Sequence, residues 1–304
     1  MDILRIQHLA KSFGSSPVLR DVSLSVPEGS VFGFIGANGA GKTTTMKIVL
    51  GLLRADGGEV SICGERARFG MTATNRQVGY LPDVPEFYNY LRPREYLRLC
   101  GQIAGLDEAT IRSRSSELLE LVGLHGAKKK IGGFSRGMKQ RLGVAQALIN
   151  EPRLLICDEP TSALDPLGRK ETLSLLRQIS SKTTVVFSTH VLSDVERICD
   201  RVAVLAGGTI ALEGTLTELK AHHQADGLQI EFASGPDLER FCAQVPERIL
   251  HKSERTGNEL TLHVRDLAAA QRASLQILSA EGILPVRFEL LEPNIEDLFL
   301  EAVA

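Results

Sequence analysis

The run Gly36-Ala37-Asn38-Gly39-Ala40-Gly41-Lys42-Thr43 joins three glycines, a lysine and a hydroxyl in the spacing G-x-x-x-x-G-K-[ST]. That combination suits a polyphosphate. Gly36, Gly39 and Gly41 let the backbone curl close to an anion and aim N–H groups at it. Lys42 offers a positive charge for β- and γ-phosphates, and Thr43 a hydroxyl for Mg2+. Asn38 and Thr44 complete the stretch expected to line the phosphates. An apolar strand is read over 30–35 and a helix over 42–53, so the loop also meets the positive end of a helix.

The second chemical signal is Leu154-Leu155-Ile156-Cys157-Asp158-Glu159, an apolar strand ending in two acids. Carboxylates at the C-terminal edge of a sheet lie where a phosphate loop also lies in α/β folds. Asp158 can hold Mg2+, directly or through water, and Glu159 can polarise an attacking water as general base. Taken alone, two acids after a strand also suit the start of a capped helix.

Between and beyond these signals, further motifs occur in a fixed order. Phe134-Ser135-Arg136-Gly137-Met138 precedes the acidic pair; Pro160-Thr161-Ser162-Ala163-Leu164-Asp165 follows it, and Ser188-Thr189-His190 comes later. The ordered set resembles the ATPase cassettes of ABC transporters over about residues 2–219. It corresponds to their phosphate loop, signature (usually L-S-G-G-Q, here divergent), acidic pair, D-loop and switch histidine. The resemblance implies an α/β fold: a mixed sheet core with a helical subdomain at about 84–150. It implies that ATP and Mg2+ bind between two cassettes, in a homodimer or with a similar cassette. Ser135, the Gly137 backbone and Asp165 would then meet the nucleotide held by the opposite subunit, and His190 would sense the γ-phosphate.

Four positions depart from the family pattern. Phe13 stands where an aromatic, often tyrosine, stacks on adenine, and it can stack without a hydroxyl. Asp83, in Gly79-Tyr80-Leu81-Pro82-Asp83, replaces a glutamine that touches Mg2+; a carboxylate can take that role but is shorter and charged. Arg136 and Met138 replace glycine and glutamine in the signature. Such substitutions, with a unit appended after the cassette, resemble the exporter branch whose membrane partners are of the ABC-2 type. A separately encoded membrane-spanning permease is the implied partner, and the cytoplasmic face of the membrane the implied peripheral location.

The elements that must position these residues are read from periodicity. Stretches 3–9 and 18–26 alternate as half-buried strands, and 92–133 reads as helical with Asp107 as an N-cap and Gly123 as a stop. Buried strands are read at 154–157, 184–188 and 201–205. Strands alternating with helices indicate a largely parallel sheet. The character changes near Lys220, where His222-His223-Gln224 through Gly227 reads as a linker. Beyond it the order is strand 228–233, helix 236–244, strands 248–253 and 259–264, helix 266–281 and strand 283–290. That β-α-β-β-α-β order fits a small ferredoxin-like accessory domain over 226–304. A last short helix is read from Asn294 to Glu301. His251 and His263 fall on strands without a ligand-spaced companion.

Bulk properties narrow the function. The formal net charge of −2 gives no field for nucleic acid. Five widely spaced cysteines fit free thiols in a reducing compartment. No run reaches the roughly 18 apolar residues of a membrane-crossing helix. Phe87, Tyr88, Tyr90 and Leu91 crowd one short stretch, which suits a contact surface for the membrane subunit or equally packing within the helical subdomain. The alternatives are non-transport ABC ATPases. A ribosome-acting type carries two cassettes, against one phosphate loop here. A chromosome-organising type splits its cassette with a coiled coil, and no sustained heptads occur between Lys42 and Ser135. A metabolic P-loop kinase would lack the signature and D-loop.

Overall fold

The computed structural model describes residues 1–70, 73–162, 164–222, 227–246, 250–264, 266–291 and 299. Its contacts divide the chain into two units, Met1–Leu216 and Thr217–Glu301. The division falls ahead of the break expected at Lys220, because a short helix occupies Leu216–His222.

The first unit holds a ten-stranded sheet. Its strands are β1 (Asp2–Phe13), β2 (Ser16–Pro27), β3 (Val31–Ile35), β4 (Gly57–Ile62), β5 (Glu65–Arg66), β6 (Val78–Leu81), β7 (Leu154–Cys157), β8 (Thr184–Thr189), β9 (Arg201–Ala206) and β10 (Thr209–Thr215). Their order is β5-β4-β1-β2-β10-β9-β3-β8-β7-β6. The five strands from β9 to β6 are parallel and the arm from β5 to β2 is antiparallel, so the sheet is mixed. The expectation of a largely parallel sheet holds only for the half whose strands are separated by helices. In the arm, β1–β2 and β4–β5 are joined by tight turns, which connect only antiparallel neighbours, and β4 returns to pair with β1 after β3 and α1.

The parallel strands β3, β7 and β8 are buried on both faces; β3 and β7 read as continuous apolar runs, as strands covered on both sides tend to, and β8 adds buried Thr184, Ser188 and Thr189 to an apolar centre. Phe32 and Phe187 are fully buried among them. The helices are α1 (Lys42–Val49), α2 (Pro93–Ile103), α3 (Glu108–Leu121), α4 (Arg136–Ala147), α5 (Pro166–Ile179) and α6 (Leu192–Ile198), and α7 (Leu216–His222) begins at the division between the units. α2, α3 and α4 form the helical part between β6 and β7. Asp107 caps α3 as expected, its carboxylate accepting from the N–H groups of Ala109 and Thr110 at 2.9 Å each.

The second unit contains β11 (Gly227–Phe232), α8 (Gly235–Gln244), β12 (Leu250–Thr256), β13 (Glu259–Val264), α9 (Leu267–Ala280) and β14 (Pro285–Leu291). All pairings are antiparallel and the order is β12-β13-β11-β14. In local numbering this is 2-3-1-4, which is the ferredoxin-like arrangement. Leu228, Ile230, Phe232, Phe241, Leu260 and Leu262 make its core. Of the expected helix at 294–301 only Phe299, in helical conformation, is among the described residues; His223 and Ala163 lie outside them. Among the described residues, no helix is long and apolar enough to cross a membrane.

Candidate nucleotide site

The parallel half of the sheet delivers the chemistry to one edge. β3 ends at Ile35 and the chain turns through the glycine loop into α1. Gly41, at the helix N-cap, has φ 110°, a backbone that side chains rarely adopt, and a Cβ there would lie 2.7 Å from Leu19 Cδ2. That contact packs the loop against β2. β2 and β1 form the hairpin that carries Phe13, which is half exposed with the Lys11 ammonium 5.4 Å from its ring centre. Asn38 and Gly39 lie exposed in the loop, and Thr44 is half-buried in the first turn of α1.

Lys42 is buried, and its ammonium donates to the carbonyls of Gly36 at 2.7 Å and Ala37 at 3.3 Å. It also lies 3.2 Å from Glu159 Oε1. The other carboxylate oxygen of Glu159 is 3.0 Å from His190 Nδ1. Thr43 Oγ donates to Asp158 Oδ2 at 2.8 Å, and Ser188 Oγ donates to Asp158 Oδ1 at 2.6 Å. The Glu159 N–H in turn donates to Ser188 Oγ at 3.0 Å. Three strand ends, after β3, β7 and β8, therefore converge on one polar cluster. Asp158 is only 3% exposed, and a buried carboxylate is tolerable here because both its oxygens are hydrogen-bonded. Burial pushes the neighbouring Tyr80 phenol up to about 12, with the charge of Asp158 adding to the effect.

Glu159 adopts φ 46°, uncommon outside glycine. A strained backbone of this kind costs about 1–3 kcal/mol and persists where surrounding contacts determine it. Those contacts are visible. Thr161 Oγ donates to the buried Asp194 at 2.7 Å, and Arg169 Nε donates to the same carboxylate at 2.6 Å. The loop after β7 is thereby tied to α5 and α6. Sequence reasoning named Ser188 only as part of the switch motif, without its role toward Asp158, and missed Asp194 and Arg169. The one available signal was a serine and threonine ending an otherwise apolar β8.

Other predicted residues lie elsewhere. Ser135 caps α4, accepting from the Met138 N–H at 3.3 Å, and Asp165 caps α5, accepting from the Gly168 N–H at 3.3 Å. Ser135, Gly137 and Asp165 line a separate cavity of about 390 Å3 between these two helix starts. Asp83 is engaged on that side: its carboxylate accepts from the Ser162 hydroxyl and lies 3.9 Å from Arg136. Two of the departures from the family pattern, Asp83 and Arg136, thus meet each other.

The loop, the paired acids and the histidine define a P-loop nucleoside-triphosphatase. Residues 19–162 match the ABC transporter family, and residues 214–303 match the C-terminal domain of DrrA1-3-like ATP-binding proteins. An uncharacterised ABC transporter ATP-binding protein of Bacillus subtilis, YxlF, is 38% identical over 99% of both chains. The bacitracin transport ATP-binding protein BcrA of Enterococcus faecalis is 33% identical, covering 99% of this chain and 96% of its own. The Nod factor export ATP-binding protein I of Ralstonia nicotianae is 34% identical, covering 98% and 92%. Among solved structures, an ATP-binding subunit of an ABC transporter superposes with a TM-score of 0.66 at 35% identity, covering 72% of this chain and 92% of that one. The chain belongs to the ABC transporter ATP-binding proteins, the ATPases that couple ATP hydrolysis to transport.

Proposed function

We propose that this chain is the peripheral, cytoplasmic-face ATPase of an ABC-2-type exporter, acting as a pair of cassettes on a separately encoded membrane subunit. The observation that carries the reading is the bridge Lys42–Glu159–His190 beside the Thr43–Asp158 pair. ATP phosphates entering the glycine loop compete with Glu159 for the Lys42 ammonium. Glu159 Oε1 is then released toward a water, while Oε2 stays oriented by His190. Glu159 acts as general base, the Lys42 charge and the loop N–H groups stabilise the phosphates, and His190 reports their loss.

Thr43 and Asp158 fit Mg2+: they are hard oxygen donors, already 2.8 Å apart, at the phosphate end of the loop. The ion, when bound, neutralises charge on the β- and γ-phosphates. Asp83 joins this set only by leaving Ser162 and Arg136. Phe13 offers its exposed ring to adenine. Ser135, Gly137 and Asp165 act on nucleotide held by the second cassette, which agrees with their lining a cavity away from Lys42.

The aromatic stretch after β6 suits the membrane subunit. Tyr88 and Tyr90 are 55% and 66% exposed, whereas Tyr96 is buried against Phe87 with ring centres 5.1 Å apart. Buried rings holding exposed ones in place make a rigid contact patch. Relatives named for bacitracin transport and Nod factor export favour transport over ribosome-acting or chromosome-organising roles. The test is purification of the tagged chain from its native membranes. A polytopic membrane protein that co-purifies and alters ATP turnover is expected. Recovery with ribosomes or chromosomal DNA instead would contradict export.

A further inference from the structure

The sheet of the second unit ends on β14. Among the described residues this strand pairs with β11 alone, so its other side presents backbone donors and acceptors without a strand upon them. Edge strands invite pairing, and soluble proteins blunt them with proline, bulges or charge. Here the proline is the first residue, Pro285, and the register shift against β11 lies at the same end. Arg287 to Leu291 then run in regular register.

The side chains of β14 carry a pattern that its own sheet uses only in part: Phe288 packs on the core and Arg287 stands opposite Glu231, while Val286, Glu289 and Leu290 stay exposed. Phe288 and Leu290 stand opposite Ile230 and Leu228, so they share the helix-covered face. Phe288 packs on the core, yet Leu290 is 43% and Val286 63% exposed. Arg287 and Glu289 stand opposite Glu231 and Gln229 on the other face. They are each about half exposed, and only 3.5 Å separates them along their own strand.

The geometry points to β14 as a self-pairing edge, whose partner is β14 of a second copy of this chain, antiparallel about a two-fold axis at Phe288. In that register Arg287 faces the second copy's Glu289, and Val286 faces its Leu290, each twice. Moving the axis one residue either way sets Arg287 against Arg287 or Glu289 against Glu289, and like charges directly opposite are unfavourable. The order Val-Arg-Phe-Glu-Leu is self-complementary about one centre. A single pair of short strands binds weakly, so the contact gains from being linked to a second one. The role given to the pairing rests on the proposed two-cassette assembly; the pairing itself requires no nucleotide.

The experiment is sedimentation of the full chain without nucleotide. The 33.1 kDa wild-type protein is expected to show a concentration-dependent dimer. Arg287→Glu and Glu289→Arg, taken singly, should each weaken it by about tenfold, since two attractive cross-strand pairs become repulsive. An equimolar mixture of the two single variants should restore the dimer, as should the doubly reversed chain. A cooperative thermal transition checks that the variants are folded, with a small downward shift expected for Arg287→Glu because Glu231 of β11 stands opposite it, and the mixture carries its own control, because misfolded chains would not rescue one another. A wild-type monomer at all concentrations without nucleotide overturns the pairing, even where ATP drives cassettes together. Single variants that dimerise like wild type, or a mixture that fails to recover, overturn it as well. Charge-dependent dimerisation without nucleotide supports it, even where ATP-driven closure is not seen.

Discussion

The two units of this chain use polar residues in opposite ways. In the first, polar side chains are buried and find partners far along the sequence: Thr43 with Asp158, Ser188 with Asp158, Thr161 with Asp194. In the second, most described side-chain pairs lie at or near the surface between near neighbours, Ser234 with Asp237, Arg240 with Asp237, Arg287 with Glu289, and the longer-range pairs, Gln229 with Glu259 and Arg240 with Glu281, build no buried network. Burying a polar group costs free energy unless every partner is supplied, so a buried long-range network persists where it performs a task. Local surface pairs contribute little and constrain little. The first unit is organised around a reaction, and the second around a core and an edge.

That contrast is broken most severely at Lys42. Lys42→Ala removes the cation that Glu159 and the phosphates share. ATP binding measured by titration calorimetry should fall below detection or hydrolysis should cease. Normal binding together with normal turnover would mean that the buried network serves the fold alone.

An intermediate effect separates the units from the other side. Phe241 is fully buried, with its ring centre 5.2 Å from that of Phe232. Phe241→Ala should cost the second unit about 3–5 kcal/mol, from lost burial and the cavity left behind. Scanning calorimetry should show a transition moved to lower temperature, while ATP affinity stays within about twofold of wild type. Loss of ATP affinity in step with that transition would show that the units depend on one another.

The sequence disclosed these two regions unequally. The strand–loop–helix around Lys42 was legible because glycine, lysine and threonine at fixed spacing have few other uses. The β-α-β-β-α-β order of the second unit was legible from period-2 and period-3.6 patterns and turn residues. The antiparallel arm was only partly legible: β1 and β2 alternate visibly, whereas β4 and β5 lie in short, half-polar stretches, and β4 pairs with β1 across the intervening β2, β3 and α1. Asp194, Arg169 and the role of Ser188 toward Asp158 escaped because their partners are distant in the chain, and no local pattern marks a contact made only after folding. Asp83 was read as a magnesium-facing group; the structure engages it with Ser162 and Arg136, residues that periodicity does not bring together.

The smallest expected effect concerns the cap of α3. The Thr110 hydroxyl, at 2.6 Å, and then its N–H hold the exposed Asp107 carboxyl below the ordinary carboxylate range. Its contribution is complete above the unfolded carboxylate value and is lost as pH falls through the lowered folded value. Asp107→Asn should therefore lower the melting temperature slightly at neutral pH, with the difference from wild type vanishing in strong acid. A difference that grows with acidification would carry the wrong sign.

The central claim is that the Lys42–Glu159–His190 bridge is the resting form of a general base. Its most direct test is single-turnover hydrolysis of ATP by Glu159→Gln beside equilibrium ATP binding. The amide keeps the size of the side chain and removes its basicity. Turnover should fall by about 10²–10⁴-fold, the usual scale for a positioned base, while ATP still binds and holds two cassettes together. Turnover near that of the wild type, in a variant that binds ATP normally, would contradict the assignment.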